Sequence, residues 1–314
     1  MSSVTLLEMG PRDGLQVLNG KRSISIEDRK ELLRTLHHAG FLYIEAGAFV
    51  SATQVPAMAD TAELLNSMQT LDRLAALVVN ERHYKRLQEV RDLKKVAVFV
   101  AADEHYNMLN ACMSLKQAIA ETKRVVDVAR ADRRHINAHL SYSFRRYDGS
   151  EMPAEVIVGL CRDLLEMGCH MVVLADNDGR SSKKDIARVL SHLRSEFAEE
   201  FQTRRIGVHL RNRRNQGLHN AMAAYEGGVR CFGTAIGGIG RSMVVRGGEV
   251  GNIPTEELLV HLASNGIETN LDLETVMEAG EIVYHMTQTA NVPPPPSSVL
   301  QEYLEKRSRQ EGDS

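Results

Sequence analysis

The chain has 314 residues, 43% of them hydrophobic and 25% charged, with a formal net charge of −3. That balance is ordinary for a globular protein and gives no electrostatic reason to expect nucleic acid or a membrane surface as a partner. No apolar run approaches the ~20 residues of a membrane span, and Cys112, Cys161, Cys169 and Cys231 form neither a zinc-type pair nor a dense framework.

Short apolar runs alternate with amphipathic stretches along the chain. The runs at 4–7, 42–45, 74–79, 96–100, 136–140, 171–175, 206–209 and 231–235 read as strands. Helical periodicity fills 26–38, 57–68, 115–131, 154–167, 184–197 and 217–225. Strands that alternate with helices pair in parallel, because each return to the same sheet edge needs a crossover. Eight such units predict an α/β fold, a (β/α)8 TIM barrel, over residues 1–290. A doubly wound open sheet is the rival. It usually carries a Gly-rich fingerprint after the first strand, and the GPRDGLQ of residues 10–16 is not that fingerprint. Two extra helical patterns follow at 255–265 and 273–288. Residues 291–314 read as a proline-rich spacer and a polar C-terminal tail, frayed or available for docking. A strand pattern that begins at residue 4 argues against a cleavable leader, and with the cysteine usage it predicts a cytoplasmic location.

In a barrel, chemistry collects at the carboxyl ends of the strands. Arg12 and Asp13 follow the first predicted strand, Glu45 ends the second, and Asp176 and Asn177 follow the sixth. His209 ends the seventh, and Asn252 lies in the loop after the eighth. Strand ends in any protein carry polar residues, so no one of these positions is informative alone; their common end is. His209 and Arg211 are two apart and share a side of the strand, with Leu210 facing the helices. Asp13, His209 and Asn252 offer oxygen and imidazole donors suited to magnesium or manganese. Arg145 and Arg146, Arg211, Arg213 and Arg214, and Arg241 and Arg246 would form a positive rim for carboxylates or phosphates. The glycine-rich run 233–240 could bring backbone amides to an anion, or could serve as a mobile loop.

At these residues the chain resembles the metal-dependent lyase and synthase (DRE-TIM) superfamily that contains 3-hydroxy-3-methylglutaryl-CoA lyase, isopropylmalate synthase and homocitrate synthase. GPRDGLQ at 10–16 is similar to the lyase signature. So are Ile44-Glu45-Ala46 with Phe49-Val50-Ser51, then Val55-Pro56, Met58 and Asp60. The stretch 174–179, LADNDG, and Gly251-Asn252 with Thr255-Glu256 complete the likeness over roughly the first 290 residues. The resemblance implies a TIM barrel with Asp13, His209 and Asn252 as metal ligands, and Arg12 polarising a substrate carbonyl. It implies positioning or catalytic roles for Glu45 and Asp176.

Two departures qualify that. The family has a second histidine two residues after the first, and here that position is Arg211. A unit charge ~4 Å from another is worth about 4 kcal/mol at an effective dielectric near 20, and a dication doubles the repulsion. Arg211 therefore counts against a bound Mg or Mn ion. The lyase branch also carries a cysteine in the loop before the asparagine ligand, and counting back from Asn252 places Met243 there. Three readings stay open: a lyase with an altered ligand set, a barrel enzyme in which Arg211 replaces the metal's charge, and a non-catalytic relative that binds a small acid or a protein partner. The first two share a carbon–carbon lyase or condensing chemistry on a small hydroxy or oxo acid or its CoA thioester. 3-Hydroxy-3-methylglutaryl-CoA itself is disfavoured. Arg211, Arg145 and Asn177 are the expected substrate-binding residues, and a homodimer is the expected assembly.

Overall fold

The computed structural model describes residues 3–17, 24–240, 250–293 and 295–312. Eight strands close into a parallel barrel in sequence order: β1 (Thr5–Glu8), β2 (Ile44–Phe49), β3 (Leu74–Val78), β4 (Lys95–Ala101), β5 (His135–Ser141), β6 (Met171–Ala175), β7 (Ile206–His209) and β8 (Cys231–Thr234). Closure is made by β1 on β8, from Thr5 opposite Cys231 to Glu8 opposite Thr234.

The helices between them begin where the sequence supplies caps. Ser25 accepts from the Asp28 amide at 3.0 Å and starts α1 (Ile26–His38). A short α2 (Thr61–Asn66) follows β2. Two helices that the apolar pattern did not announce are α3 (Glu81–Leu87), capped by Asn80, and α4 (Glu104–Ala111), capped by Asp103. At seven and eight residues, about two turns each, both are too short for an amphipathic pattern to stand out. Ser114 with Gln117 forms a capping box for α5 (Leu115–Ala131). The α6 helix (Ala154–Met167) ends on Gly168 at φ 107°. Beyond it lie α7 (Lys183–Glu196), whose capping box joins Ser182 to Asp185, then α8 (Ala198–Gln202) and α9 (Gly217–Glu226).

After the barrel come α10 (Thr255–Ser264), α11 (Leu273–Ala290) and α12 (Ser298–Gly312). The tail expected to be frayed is thus helical. Leu300 on α12 is 1% exposed and packs where a Cβ on Gly280 of α11 would stand, 2.6 Å from its Cδ1. Most strand boundaries agree to within a residue, and two regions differ by more. The predicted helix 57–68 is a 3₁₀ turn, Pro56–Met58, followed by α2. Leu42, expected in a strand, is 56% exposed, and β2 instead runs on through Ala46, Gly47 and Ala48 with a bulge between Glu45 and Gly47. Glu45 is therefore the second residue of β2 and not its end.

One large apolar cluster fills the space between barrel and helices, including Ile136, Ala138 and Leu140 of β5. A small second cluster, with Leu7, Tyr43, Ala75 and Val173, plugs the barrel interior. On β2, β5 and β7 the period of two brings polar groups inward: Glu45 two residues beyond Tyr43, His139 beyond Asn137, and His209 beyond Gly207. The interior beneath the site is thus mostly apolar, with Asn137 the polar exception on β5, and the polar layer of the site above it is made by strands. No described helix is long and apolar enough to cross a membrane.

Candidate active site

Directly after β1, residues Gly10–Gly14 coil into a π-helical turn. Arg12 and Asp13 are both buried there, at 8% and 4% exposure. They border a cavity of about 520 Å³ at the carboxyl end of the barrel, which His139, Asn177, His209 and Arg211 also line.

Two ion-paired layers build its base. In the first, Arg12 donates Nε to Glu45 Oε2 at 2.7 Å and Nη1 to Asp13 Oδ1 at 2.9 Å. Glu45 Oε1 meets His139 Nε2 at 2.6 Å and accepts from the Tyr43 hydroxyl at 3.3 Å. In the second, Arg211 donates Nη1 to Asp13 Oδ2 at 2.8 Å, and the same nitrogen is 2.5 Å from Asn252 Oδ1. Asn252 donates its amide to Asp13 Oδ2 at 2.8 Å and to the Ile239 carbonyl at 2.7 Å. Gln16 completes the shell of Asp13 by donating to Oδ1 at 2.9 Å.

The charges set the protonation states. Burial works against a charged Asp13, but Arg211, then Arg12, outweigh it and hold its carboxyl far below the usual carboxylate range. Glu45 follows the same logic: burial raises it, and Arg12 followed by His139 brings it to about 2. His209 is pushed down to about 3 by burial and then by Arg211, so its imidazole is neutral. Its Nε2 lies 3.8 Å from Asp13 Oδ2, and Gly233 stands beside it on β8, where a Cβ would come within 2.7 Å of Nδ1.

A divalent cation does not fit this donor set. The Asp13 oxygen that faces His209 is engaged by Arg211 and Asn252, and the Asn252 amide oxygen is engaged by the same Arg211 nitrogen. Among the described residues, no group of three or more His, Cys, Asp and Glu side chains is arranged to hold a metal.

The other sequence-nominated residues divide. Asn177 lines the cavity, with its amide oxygen on the Tyr142 backbone and its nitrogen on the Ser141 hydroxyl. Asp176 is buried and does not line it; burial and then Asp178 raise its carboxyl to about 7. Arg145 is not in the cavity. Its guanidinium is a bidentate partner of Asp185, at 2.9 and 3.2 Å, and holds the Gly149 carbonyl at 2.8 Å. Of the arginine rim, Arg211 alone borders the cavity among the described residues besides Arg12. Arg241, Met243 and Arg246 lie outside the described residues. The sequence reading missed His139. Its signal was present: Asn137, His139 and Ser141 alternate with Ile136, Ala138 and Leu140, which marks a polar inward face on β5.

The HMGL-like family model matches residues 3–283. A Pseudomonas aeruginosa protein named 3-hydroxy-3-isohexenylglutaryl-CoA/hydroxy-methylglutaryl-CoA lyase is 32% identical over 281 residues, covering 88% of this chain and 91% of that one. The crystal structure of hydroxymethylglutaryl-CoA lyase from Pseudomonas aeruginosa superposes with a TM-score of 0.88 at 30% identity, covering 97% of this chain and 98% of the other. An HMG-CoA lyase from Acinetobacter baumannii, solved with coenzyme A and 3-methylmalate, gives 0.85 at 26% identity, covering 95% and 94%. With fold, strand-end residues and near end-to-end alignments in agreement, the chain belongs to the HMGL-like family and is a carbon–carbon lyase.

Proposed function

We propose that this lyase cleaves a 3-hydroxy-3-alkyl acyl-CoA thioester with the Arg211 guanidinium in the position of the family's divalent cation. The observation that carries this is the single Arg211 Nη1 atom bridging Asp13 Oδ2 and Asn252 Oδ1. A fixed guanidinium can hold a substrate carboxylate and stabilise developing oxyanion charge, as a preorganised cation does. Arg12 adds a second such group. Each is neutralised by its own carboxylate, so the substrate meets oriented dipoles within a balanced cluster and not a bare excess of charge.

The thioester is supported by the relatives, one solved with coenzyme A, another named for two glutaryl-CoA substrates. The cavity's outer part carries apolar side chains among its polar ones: Leu77 and Val79 from β3 and its end, Phe99 from β4, and Leu109 and Met113 around α4. That wall suits a substituent longer than methyl at the substrate's third carbon, which is why 3-hydroxy-3-methylglutaryl-CoA is the poorer candidate. The test is a series of 3-hydroxy-3-alkylglutaryl-CoA thioesters of rising chain length, with acetyl-CoA release followed by mass spectrometry in chelator and in added manganese. The reading predicts cleavage of a longer-chain member at the same rate in both. Cleavage that requires manganese, or no cleavage across the series, overturns it.

A further inference from the structure

We propose that His139, oriented by Glu45, is the catalytic base and acid of this site. The inference rests on the lyase reading above and adds the group that moves the proton. Cleavage of a 3-hydroxy thioester needs a base near the hydroxyl and an acid for the carbanion that leaves. The titratable groups on the cavity's strand-built base are few among the described residues. Asp13 is fixed by Arg211, Arg12, Gln16 and Asn252 and has no free basicity. His209 is held neutral by burial and by Arg211, and its Nδ1 is buried against Gly233 without a partner. The remaining candidates, His83, Tyr106, Cys112 and Glu121, belong to the helical mouth around α3, α4 and α5.

His139 differs from all of these. It lines the cavity from β5, and its Nε2 is 2.6 Å from Glu45 Oε1. Glu45 is 0% exposed and paired to Arg12, so it is ionised and can only accept. Nε2 must then carry the hydrogen of that bond, and in the neutral ring the lone pair is on Nδ1. A carboxylate that fixes an imidazole's tautomer while the opposite nitrogen works is the recurring arrangement of a general base.

The step balances without a co-reactant. Nδ1 takes the proton of the substrate's 3-hydroxyl, and the oxygen's pair forms the new C=O. The bond between the second and third carbons breaks, and its electrons pass to the thioester as an enolate. The imidazolium then returns that proton to the second carbon, which gives acetyl-CoA and a 3-oxo acid.

Run backwards, the last transfer exchanges the methyl protons of acetyl-CoA, and this provides a probe that needs no knowledge of the alkyl group. Purified protein in D2O with chelator is incubated with acetyl-CoA, and deuterium entry is followed by NMR. The expected result is exchange by the native protein, a fall of about 100-fold or more in His139→Ala, and recovery of the alanine variant with added imidazole. His139→Gln keeps a donor for Glu45 but has no basic nitrogen, so it stays inactive with imidazole while melting like the parent. Exchange retained in both variants overturns the assignment to His139 and leaves the lyase reading standing. No exchange by the native protein overturns the acyl-CoA reading, and this assignment with it.

Discussion

Arg211 and Asp13, 198 residues apart in the chain, meet through a 2.8 Å ion pair at the carboxyl end of the barrel. Both are almost fully buried, at 4% exposure each. Removing one partner strands the other charge in a place where water cannot compensate it. Asp13→Ala should therefore cost about 3–5 kcal/mol of stability. Asp13→Ala with Arg211→Met should cost less than the sum of the single changes, with a coupling above about 1 kcal/mol. Urea unfolding of the four proteins measures this, and additive costs would mean that the pair is not formed in solution.

A second prediction concerns substrate choice. Turnover of 3-hydroxy-3-methylglutaryl-CoA with added magnesium or manganese should fall below the common enzyme range of ~1–1,000 per second. In the sequence, Arg211 takes the place of the second histidine that the resemblance implies, and counting back from Asn252 puts Met243 at the place of its cysteine. Steady-state turnover within that range would show that neither change matters to that reaction.

A third prediction follows from Glu8, buried where β1 ends. Its carboxyl oxygens meet the Gly10 and Ile236 amides at 2.7 and 3.0 Å and the Thr255 hydroxyl at 2.6 Å. Burial raises its pKa from 4.5 to about 8. The folded chain thus holds a proton that the unfolded chain has lost between those values, and in that window stability falls as pH rises. Glu8→Gln mimics the protonated form. It should flatten the decline between pH 5 and 8 and melt higher than the parent at pH 8. Parallel curves for the two proteins would place the proton elsewhere.

Much of this was legible in the chain because a barrel repeats one physical rule. Apolar runs at 171–175 and 206–209 match β6 and β7 residue for residue, since both strands are buried along almost their whole length and the one polar residue among them, His209, closes its run. Strand-end logic likewise brought Arg12, Asp13, His209, Arg211 and Asn252 into one cluster. It failed where pairing depends on distant partners. Arg145 looked like a substrate arginine because nothing local shows that Asp185, 40 residues on, takes its guanidinium. Glu45 looked like a strand end because Ala46, Gly47 and Ala48 are weak strand formers, held extended here by pairing with β3. His139 escapes strand-end logic because it lies two residues inside the end of β5.

Calorimetric titration with manganese tests most directly whether Arg211 takes the cation's position. The parent protein should bind manganese weakly, because both Asp13 Oδ2 and Asn252 Oδ1 are engaged by the guanidinium. Arg211→His removes that charge and supplies an imidazole beside Asp13, His209 and Asn252, so it should tighten binding by at least ~10-fold, about 1.4 kcal/mol. Tight manganese binding by the parent, unchanged by the substitution, would contradict the account, because the guanidinium would then have to leave the site whenever the ion enters.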